Sequence, residues 1–188
     1  MDLVEEVVAL GDRELTVLRP RDTEALIDEE AFEEHEFLPY WAELWPSGVA
    51  LARAVARRAL KGARVLEVGC GLGLPSLAAA GAGGRVLATD WSPAAVELLR
   101  ENAARNGVRL TAEVATWTDP APLLARAPFG LVLAADVLYE RRNVPVLADL
   151  LPRLGGEVLL ADPGRPPLEG FLERTGTVWA RPPVYRLR

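Results

Sequence analysis

Three glycines and one carboxylate form the clearest chemical pattern in this sequence. Gly69, Gly71 and Gly73 occupy alternate positions directly after a short apolar run, and Asp90 ends the next apolar run. Glycine lets the backbone approach a ligand closely, and the unpaired N–H groups at the start of a following helix can bind polar ligand atoms. A carboxylate at about this spacing is suited to bind ribose hydroxyls. The pattern predicts a nucleotide cradle; a purely structural turn is the alternative for the glycines.

The segments around this pattern resemble a β-α-β unit. The apolar, β-branched run Arg64–Val68 predicts a buried parallel strand, Leu74–Ala82 a helix, and Arg85–Thr89 a second strand. The dinucleotide fingerprint G-x-G-x-x-G/A requires Gly or Ala at position 74, where this chain has Leu74. The G-K-[S/T] of a phosphate-binding P-loop does not occur. What remains is E-x-G-x-G-x-G, which begins at Glu67.

The other apolar patterns extend this unit into an alternating chain of strands and helices. Leu3–Leu10 and Glu14–Arg19 predict an N-terminal β-hairpin, and Asp22–Glu36 is acidic and compatible with a helix. The remaining predictions are helices 47–60, 93–105, 142–151 and 168–175, and strands 109–113, 128–135, 157–161, 178–181 and 184–188. This alternation predicts an α/β fold: a Rossmann-like, doubly wound, mostly parallel seven-stranded sheet with helices on both faces. We expect one domain over residues 1–188, with a hairpin and helical extension at 1–45 and the core at 46–188.

Large aromatic side chains are concentrated just before this core. Tyr40, Trp41 and Trp45 lie within six residues and are flanked by prolines, and Trp117 follows the third core strand. Ligands of such sheets bind at the carboxyl ends of the strands, so an indole there can stack on a nucleobase. Packing of the same side chains in the core is the alternative.

Composition and charge exclude several classes of protein. One cysteine, Cys70, and one histidine, His35, permit no internal disulfide and leave too few ligands for a zinc site or a Cys–His pair, so we expect no metal. The small size of Cys70 is expected to matter more in the glycine loop than its reactivity. The net charge of −6, without a Lys/Arg-rich block, argues against nucleic-acid binding.

The same composition bears on location and source. No apolar run reaches the roughly 18 residues that span a bilayer, and the acidic start has no basic region of a signal peptide. We therefore expect a cytoplasmic protein that does not bind membranes. The chain has no Gln, one Met and one Cys, and Lys61 is the only lysine among 21 basic residues. This depletion of heat-labile side chains favours a thermophilic source, although GC-rich codon usage would produce much of the same bias.

From Glu67 to Gly73 the chain resembles the class I, seven-strand S-adenosylmethionine-dependent methyltransferases. Within that family it is similar to the protein-lysine methyltransferase-like branch, the group of electron-transfer-flavoprotein β-subunit lysine methyltransferases and their bacterial relatives. The motifs that carry this resemblance are P-Y-W-A-E-L-W-P-S-G, D-V-L-Y after strand 128–135 and D-P-G-R after strand 157–161, and together they cover roughly residues 37–165.

The resemblance implies S-adenosyl-L-methionine as cofactor and S-adenosyl-L-homocysteine as product. It places Glu67, Gly69, Gly71 and Gly73 around the methionine moiety, with Cys70 in the same loop.

On the nucleoside side, the resemblance places Asp90 on the ribose and Trp91 and Trp117 near the adenine. It also implies that Trp41 and Trp45 border the sulfonium, where core packing of both is the alternative.

The resemblance also implies an acceptor site. Ala135 would contact the cofactor through its backbone, and Asp136 and Tyr139 would face the acceptor amine. A lysine ammonium, with an ordinary pKa near 10.4, must lose a proton before its nitrogen can attack. Asp136 can orient the ammonium and the Tyr139 hydroxyl can accept a hydrogen bond from the nitrogen, while the proton can leave to solvent. The alternative for Asp136 is a helix N-cap.

These inferences predict a methyltransferase that N-methylates a lysine of a protein substrate. A small-molecule N- or O-methyltransferase is the alternative on the same fold, and a non-catalytic nucleotide-binding module or an NAD-dependent oxidoreductase are alternatives of other classes. A nucleic-acid amino-methyltransferase typically carries [D/N]-P-P-[Y/F] after the fourth strand, and both prolines are missing here. The six carboxylates between Asp28 and Glu36 either attract a basic substrate segment or form a solvated helix face.

Overall fold

The structure of the chain is a computed structural model that describes residues 1–26 and 39–187. Within these residues there are nine strands and six helices. The strands are β1 (Leu3–Ala9), β2 (Glu14–Pro20), β3 (Arg64–Val68), β4 (Arg85–Asp90), β5 (Thr111–Val114), β6 (Leu131–Ala135), β7 (Val158–Ala161), β8 (Thr177–Arg181) and β9 (Val184–Leu187). The helices are α1 (Pro46–Ala56), α2 (Leu74–Gly81), α3 (Pro93–Arg105), α4 (Ala121–Leu124), α5 (Asn143–Leu154) and α6 (Pro167–Thr175), with short 3-10 turns at Glu24–Leu26 and Tyr40–Ala42.

Seven of the strands form one mixed sheet in the order β5-β4-β3-β6-β7-β9-β8. Strands β3 to β7 are mutually parallel where they pair, and β9 is antiparallel to both β7 and β8. The order reverses between β3 and β6, which leaves a crevice at their carboxyl ends because the following helices cover opposite faces. The predicted doubly wound seven-stranded sheet is confirmed.

Helices cover both faces of the sheet, which is why the central strands carry apolar side chains on both faces. On one face Val65 of β3 packs in a cluster with side chains of α1, α2 and α3. On the other face Leu66 and Val68 pack in a second cluster with α5 and α6, in which Leu151 and Phe171 are fully buried. Burial on both faces fixes the orientation of each strand and thereby of the loops that follow it.

The predicted N-terminal hairpin is present as a separate two-stranded sheet, β1 with β2. Asn102 of α3 and Asn106, which caps the C-terminus of α3, hold β2 by pairing with its backbone as a neighbouring strand would. Asn102 accepts from Leu18 N at 2.7 Å and donates to Leu18 O at 3.1 Å, and Asn106 bonds both backbone groups of Thr16 in the same way. The part of the predicted helix Asp22–Glu36 beyond residue 26, with its carboxylates and His35, lies outside the described residues.

Several predicted boundaries differ from the structure for local reasons. Helix α1 ends at Ala56 rather than at Leu60, because Leu60 is buried and its N–H donates to Ala82 O. Helix α5 continues past Pro152 to Leu154, whose side chain is fully buried. Strand β5 covers only Thr111–Val114 instead of 109–113, and α4 was not predicted. None of the helices within the described residues is long and apolar enough to cross a membrane.

Candidate functional site

A cleft of about 940 Å³, including the part that is open to solvent, lies over the carboxyl ends of β3, β4 and β6. The 3-10 turn Tyr40–Ala42 and the start of α1 form the opposite wall of the cleft. Every residue that the sequence assigned to the cofactor or the acceptor lines this one cleft: Trp41, Trp45, Glu67, Gly69, Cys70, Gly71, Gly73, Asp90, Trp91, Trp117, Ala135, Asp136 and Tyr139. The location at the strand-order reversal is that of small-molecule sites in α/β proteins.

The glycine loop needs glycine for two different reasons. All three of its glycines have positive φ, and at Gly73 (φ 79°) a Cβ would lie 2.2 Å from Leu99 Cδ1. At Gly71 (φ 49°) a Cβ would lie 3.0 Å from the carbonyl oxygen of Trp41. The glycines thus allow the loop to turn sharply. At Gly71 the missing side chain also lets the backbone of Trp41 approach the loop.

Asp90, at the end of β4, is held by the backbone of this loop. Its Oδ2 accepts from Gly71 N at 2.9 Å and its Oδ1 from Ser92 N at 3.0 Å. Burial raises the pKa of Asp90 above its ordinary value, while these backbone bonds lower it. Each carboxylate oxygen keeps a further lone pair, so the side chain can still accept hydrogen bonds from ligand hydroxyls.

Glu67, in the middle of the cleft floor, is completely buried. Its Oε2 accepts a short hydrogen bond from the Ser76 hydroxyl in the first turn of α2, whereas its Oε1 has no partner among the described residues. Burial raises the pKa of Glu67 to about 8. A buried acceptor without a partner is costly unless a ligand satisfies it, so the atom Oε1 suits a donor such as an amine.

Cys70 is buried between two of the glycines, and burial raises its pKa well above the ordinary value. The thiol is therefore protonated and unreactive at neutral pH. Its backbone shapes the loop, because Cys70 N donates to Thr89 O and Cys70 O accepts from Gly73 N at 2.7 Å.

The tryptophans of the cleft differ in what they contact. Trp41 and Trp117 are partly buried and pack against the two core clusters, so they both line the cleft and support the fold. The Trp117 ring lies directly against Gly69, with Cζ3 3.0 Å from the position of a Cβ there. Trp91 is 40% exposed at the rim, and Trp45 is fixed by a 2.7 Å hydrogen bond from its Nε1 to Tyr40 O.

Asp136 and Tyr139 follow β6 and lie at the other side of the cleft. Asp136 has a φ of 58° and is the one residue other than glycine with positive φ in the described part of the chain. It is not the N-cap of α5, which begins only at Asn143. Burial raises the pKa of Tyr139 to about 12, and its ring lies 5.1 Å from the Tyr40 ring centroid.

Arg165 also lines the cleft, although the sequence predicted no role for it. Its guanidinium donates from Nε (2.7 Å) and from Nη2 to Oδ1 of Asp136. The signal was present, because Arg165 closes the D-P-G-R motif after β7, the strand next to β6. Ser76 and Tyr40 were missed as well, since nothing in their spacing indicates that they contact Glu67 and Tyr139. Across residues 1–26 and 39–187 no group of three His, Cys, Asp or Glu side chains could hold a metal.

The family model and a curated relative both identify lysine methyltransferases as similar to this chain. A family model described as lysine methyltransferase matches residues 31–160. The chain is 36% identical over 137 residues to the electron transfer flavoprotein beta subunit lysine methyltransferase of Xenopus laevis, covering 68% of this chain and 53% of that protein. It is also 36% identical over 103 residues to the human histone-arginine methyltransferase METTL23, covering 52% of this chain and 54% of that protein. The chain thus spans about half the length of the curated relatives it matches.

A solved structure gives the same fold. The Thermus thermophilus 16S rRNA N2 G1207 methyltransferase, in complex with AdoMet and guanosine, superposes with a TM-score of 0.64 at 19% identity, covering 99% of this chain and 49% of that chain. At this identity the likeness concerns the fold alone.

Proposed function

The chain belongs to the lysine methyltransferase family, and we propose that it transfers a methyl group from S-adenosyl-L-methionine to the side-chain nitrogen of a lysine in a protein substrate. The observation that carries this proposal is the shared cleft. The glycine loop with Glu67 and Asp90 lines one side and the pair Asp136 and Tyr139 lines the other. A donor and an acceptor site would thus face the same cleft.

The donor half of the cleft fits the chemistry of the cofactor. The free Oε1 of Glu67 suits the cationic amine of the methionine moiety, and Asp90 suits the ribose hydroxyls. Trp91 and Trp117 offer flat apolar surfaces for the adenine. When bound, S-adenosyl-L-methionine supplies an activated methyl group on a sulfonium, and S-adenosyl-L-homocysteine is the product.

The acceptor half has to align a nitrogen and limit access of water, because a sulfonium donor is already activated. Trp41, Trp45 and Tyr40 would form the apolar walls of the channel through which the lysine enters. The Tyr139 hydroxyl stays protonated at neutral pH, since burial raises its pKa to about 12, and its oxygen can accept a hydrogen bond from the acceptor nitrogen. The acceptor proton can leave to solvent before the chemical step.

A labelling experiment tests the proposal. The protein is incubated with methyl-labelled S-adenosyl-L-methionine and a proteome extract. A second incubation replaces the extract with purified electron-transfer flavoprotein β-subunit, the protein named in the description of the Xenopus relative. We expect a labelled protein band whose modified residue maps by mass spectrometry to a lysine. Label on an arginine would support the alternative that the METTL23 relative offers, and label only in the small-molecule fraction would support a small-molecule methyltransferase.

Calorimetric titration separates the remaining alternatives. Binding of S-adenosyl-L-homocysteine without any response to NAD would support the cofactor assignment, and the reverse result would support an oxidoreductase. A protein that binds S-adenosyl-L-homocysteine but labels nothing would be a non-catalytic module.

Location in the cytoplasm is part of the proposal and is supported by the single cysteine, which fits a reducing compartment.

A further inference from the structure

Asp136, the carboxylate assigned to the acceptor side, forms an ion pair with Arg165. Two guanidinium nitrogens of Arg165 share Oδ1 of Asp136, and the other oxygen, Oδ2, has no partner within the described residues. The Asp136 side chain is 5% exposed and that of Arg165 is 29% exposed. The pair therefore presents one buried carboxylate that is already neutralised by a partly accessible cation.

The position of Arg165 is set by three further contacts. Asp162, at the end of β7, accepts from Gly164 N at 2.8 Å and from Arg165 N at 2.7 Å, which fixes the backbone. The guanidinium carbon lies 5.6 Å from the Trp45 ring centroid, within the range of a cation–π contact. Arg165 also lines a shallow groove along α6, so its side chain lies between the cleft and the surface.

We propose that Arg165 is a positioning residue that neutralises Asp136, so that the acceptor lysine is bound as the free amine rather than as the ammonium. This inference rests on the proposed function. A bare carboxylate beside the acceptor would stabilise its charged form and raise its pKa, because an opposite charge within about 4–6 Å favours ionisation. The charged form has no lone pair for the attack. With Arg165 bonded to Asp136 the pair has no net charge, and it can still accept a hydrogen bond.

The other charges near the pair do not replace this effect. Asp162 lies beyond the end of β7, where burial raises its pKa and the bonds from the Gly164 and Arg165 N–H groups lower it, and it is not a cation that could pair with Asp136. Tyr139 is uncharged at neutral pH, and Glu140 beside it is paired with Arg142. Asp90 lies on the donor side, and the remaining carboxylates of the cleft are Glu67 and Glu43. Among the described residues that line the cleft, Arg165 is the single cation.

The test is the pH dependence of kcat for Arg165→Gln, Arg165→Lys and the wild type. The acceptor is the protein that carries the label in the extract screen, purified and used at a saturating concentration with saturating S-adenosyl-L-methionine. We expect Arg165→Gln to move the midpoint of the rising limb to higher pH by about one unit. At pH 7.5 its kcat would fall about tenfold, whereas near the upper plateau it would approach that of the wild type. Arg165→Lys retains the charge and should keep the midpoint, with a lower plateau because the planar fork is lost.

Arg58→Gln is the matched control, because Arg58 is similarly buried and makes a two-nitrogen ion pair with Glu157 away from the cleft. Its pH profile should coincide with that of the wild type. A loss of kcat in Arg165→Gln that is equal at every pH would mean that Arg165 merely supports the fold, and this would overturn the inference while leaving the proposed methyl transfer intact. A wild-type protein that labels nothing in the extract would overturn both.

Discussion

Two of the buried carboxylates of the cleft, Glu67 and Asp136, have different neighbours and therefore different chemistry. Glu67 accepts from Ser76, but burial is the largest influence on its pKa and raises it to about 8. Asp136 meets a guanidinium, which compensates its charge within the protein. Under the proposed function, Glu67 would meet a cation that the ligand brings, whereas Asp136 already has one within the protein.

The raised pKa of Glu67 predicts a pH-dependent stability. Between its ordinary pKa and about 8, the folded state holds a proton that the unfolded state does not hold, so folding is favoured at low pH and this contribution is lost as pH rises. Relative to Glu67→Gln, the free energy of unfolding of the ligand-free wild type should fall by about 1.4 kcal/mol per pH unit between pH 5 and 8. Denaturant unfolding of both proteins measures this difference. Parallel curves over that range would contradict the prediction.

A second prediction at this scale concerns the acceptor pair. Asp136→Asn and Tyr139→Phe should each lower kcat by roughly 100-fold, because groups that orient a reacting nitrogen typically contribute on this order. Their affinity for S-adenosyl-L-homocysteine should change by less than about threefold, since neither side chain is assigned to the donor half. Asp119→Asn, at an exposed aspartate, serves as the control. Unchanged turnover in both variants would refute the assignment.

At the scale of elements, the cleft depends on where strands end. Strands β3, β4, β6 and β7 all stop at the same edge of the sheet, and each is followed by a functional side chain or loop. Asp136 follows β6 and Arg165 follows β7, so the pairing of these strands brings the two charges together across 29 positions of sequence. The pairing of the strands determines the positions of the loops that follow them, so these loops need no regular secondary structure.

The turn between β3 and α2 gives a prediction for this scale. Gly73→Ala should destabilise the protein by roughly 3 kcal/mol, because the left-handed backbone disfavours a side chain and the new Cβ would overlap Leu99. Gly62→Ala is the matched control, since Gly62 has nearly the same φ (76°) but no atom within 4 Å of a Cβ. It should cost only about 1–2 kcal/mol. Equal losses in chemical denaturation would show that the overlap with Leu99 is relieved without cost.

At the scale of the whole molecule, two layers of helices bury the sheet, and the N-terminal hairpin packs on one of these layers. Leu66, Val132 and Leu160 are completely buried in the centre, and the side chains of Asn102 and Asn106 make four hydrogen bonds to the backbone of β2. Ion pairs such as Arg58 with Glu157, and Arg186 with Glu157, add contacts near the surface. Networks of this kind contribute more at high temperature than at 25 °C.

The composition leads to a prediction about heat. Because Gln is absent and Met and Cys occur once each, we propose a thermophilic source and expect a midpoint of thermal unfolding above about 70 °C. Differential scanning calorimetry of the protein without ligand measures it. A midpoint within the range of about 45–65 °C that is usual for mesophilic domains would indicate that codon usage explains the composition.

Much of the fold and of the cleft was predictable because the relevant signals are local. Periodic apolar runs predicted β3 and α3 with their observed bounds, and the glycine loop with Asp90 indicated the cradle. The least accurate boundaries, such as the end of α1, lie where a buried residue and a backbone bond from another element decide the outcome. Short α4 carried no periodic signal at all, since four residues are too few.

The residues by themselves determined the order of strands and helices and predicted a nucleotide cradle, because both depend on neighbours in the chain, and the family resemblance added the prediction of the D-x-x-Y pair. Only the tertiary structure decided that Arg165 neutralises Asp136, that Glu67 keeps one oxygen without a partner, and that Asp136 is no helix cap. Charge compensation and desolvation depend on which side chains meet in three dimensions. Strand pairing brings them together, and no spacing along the chain records it.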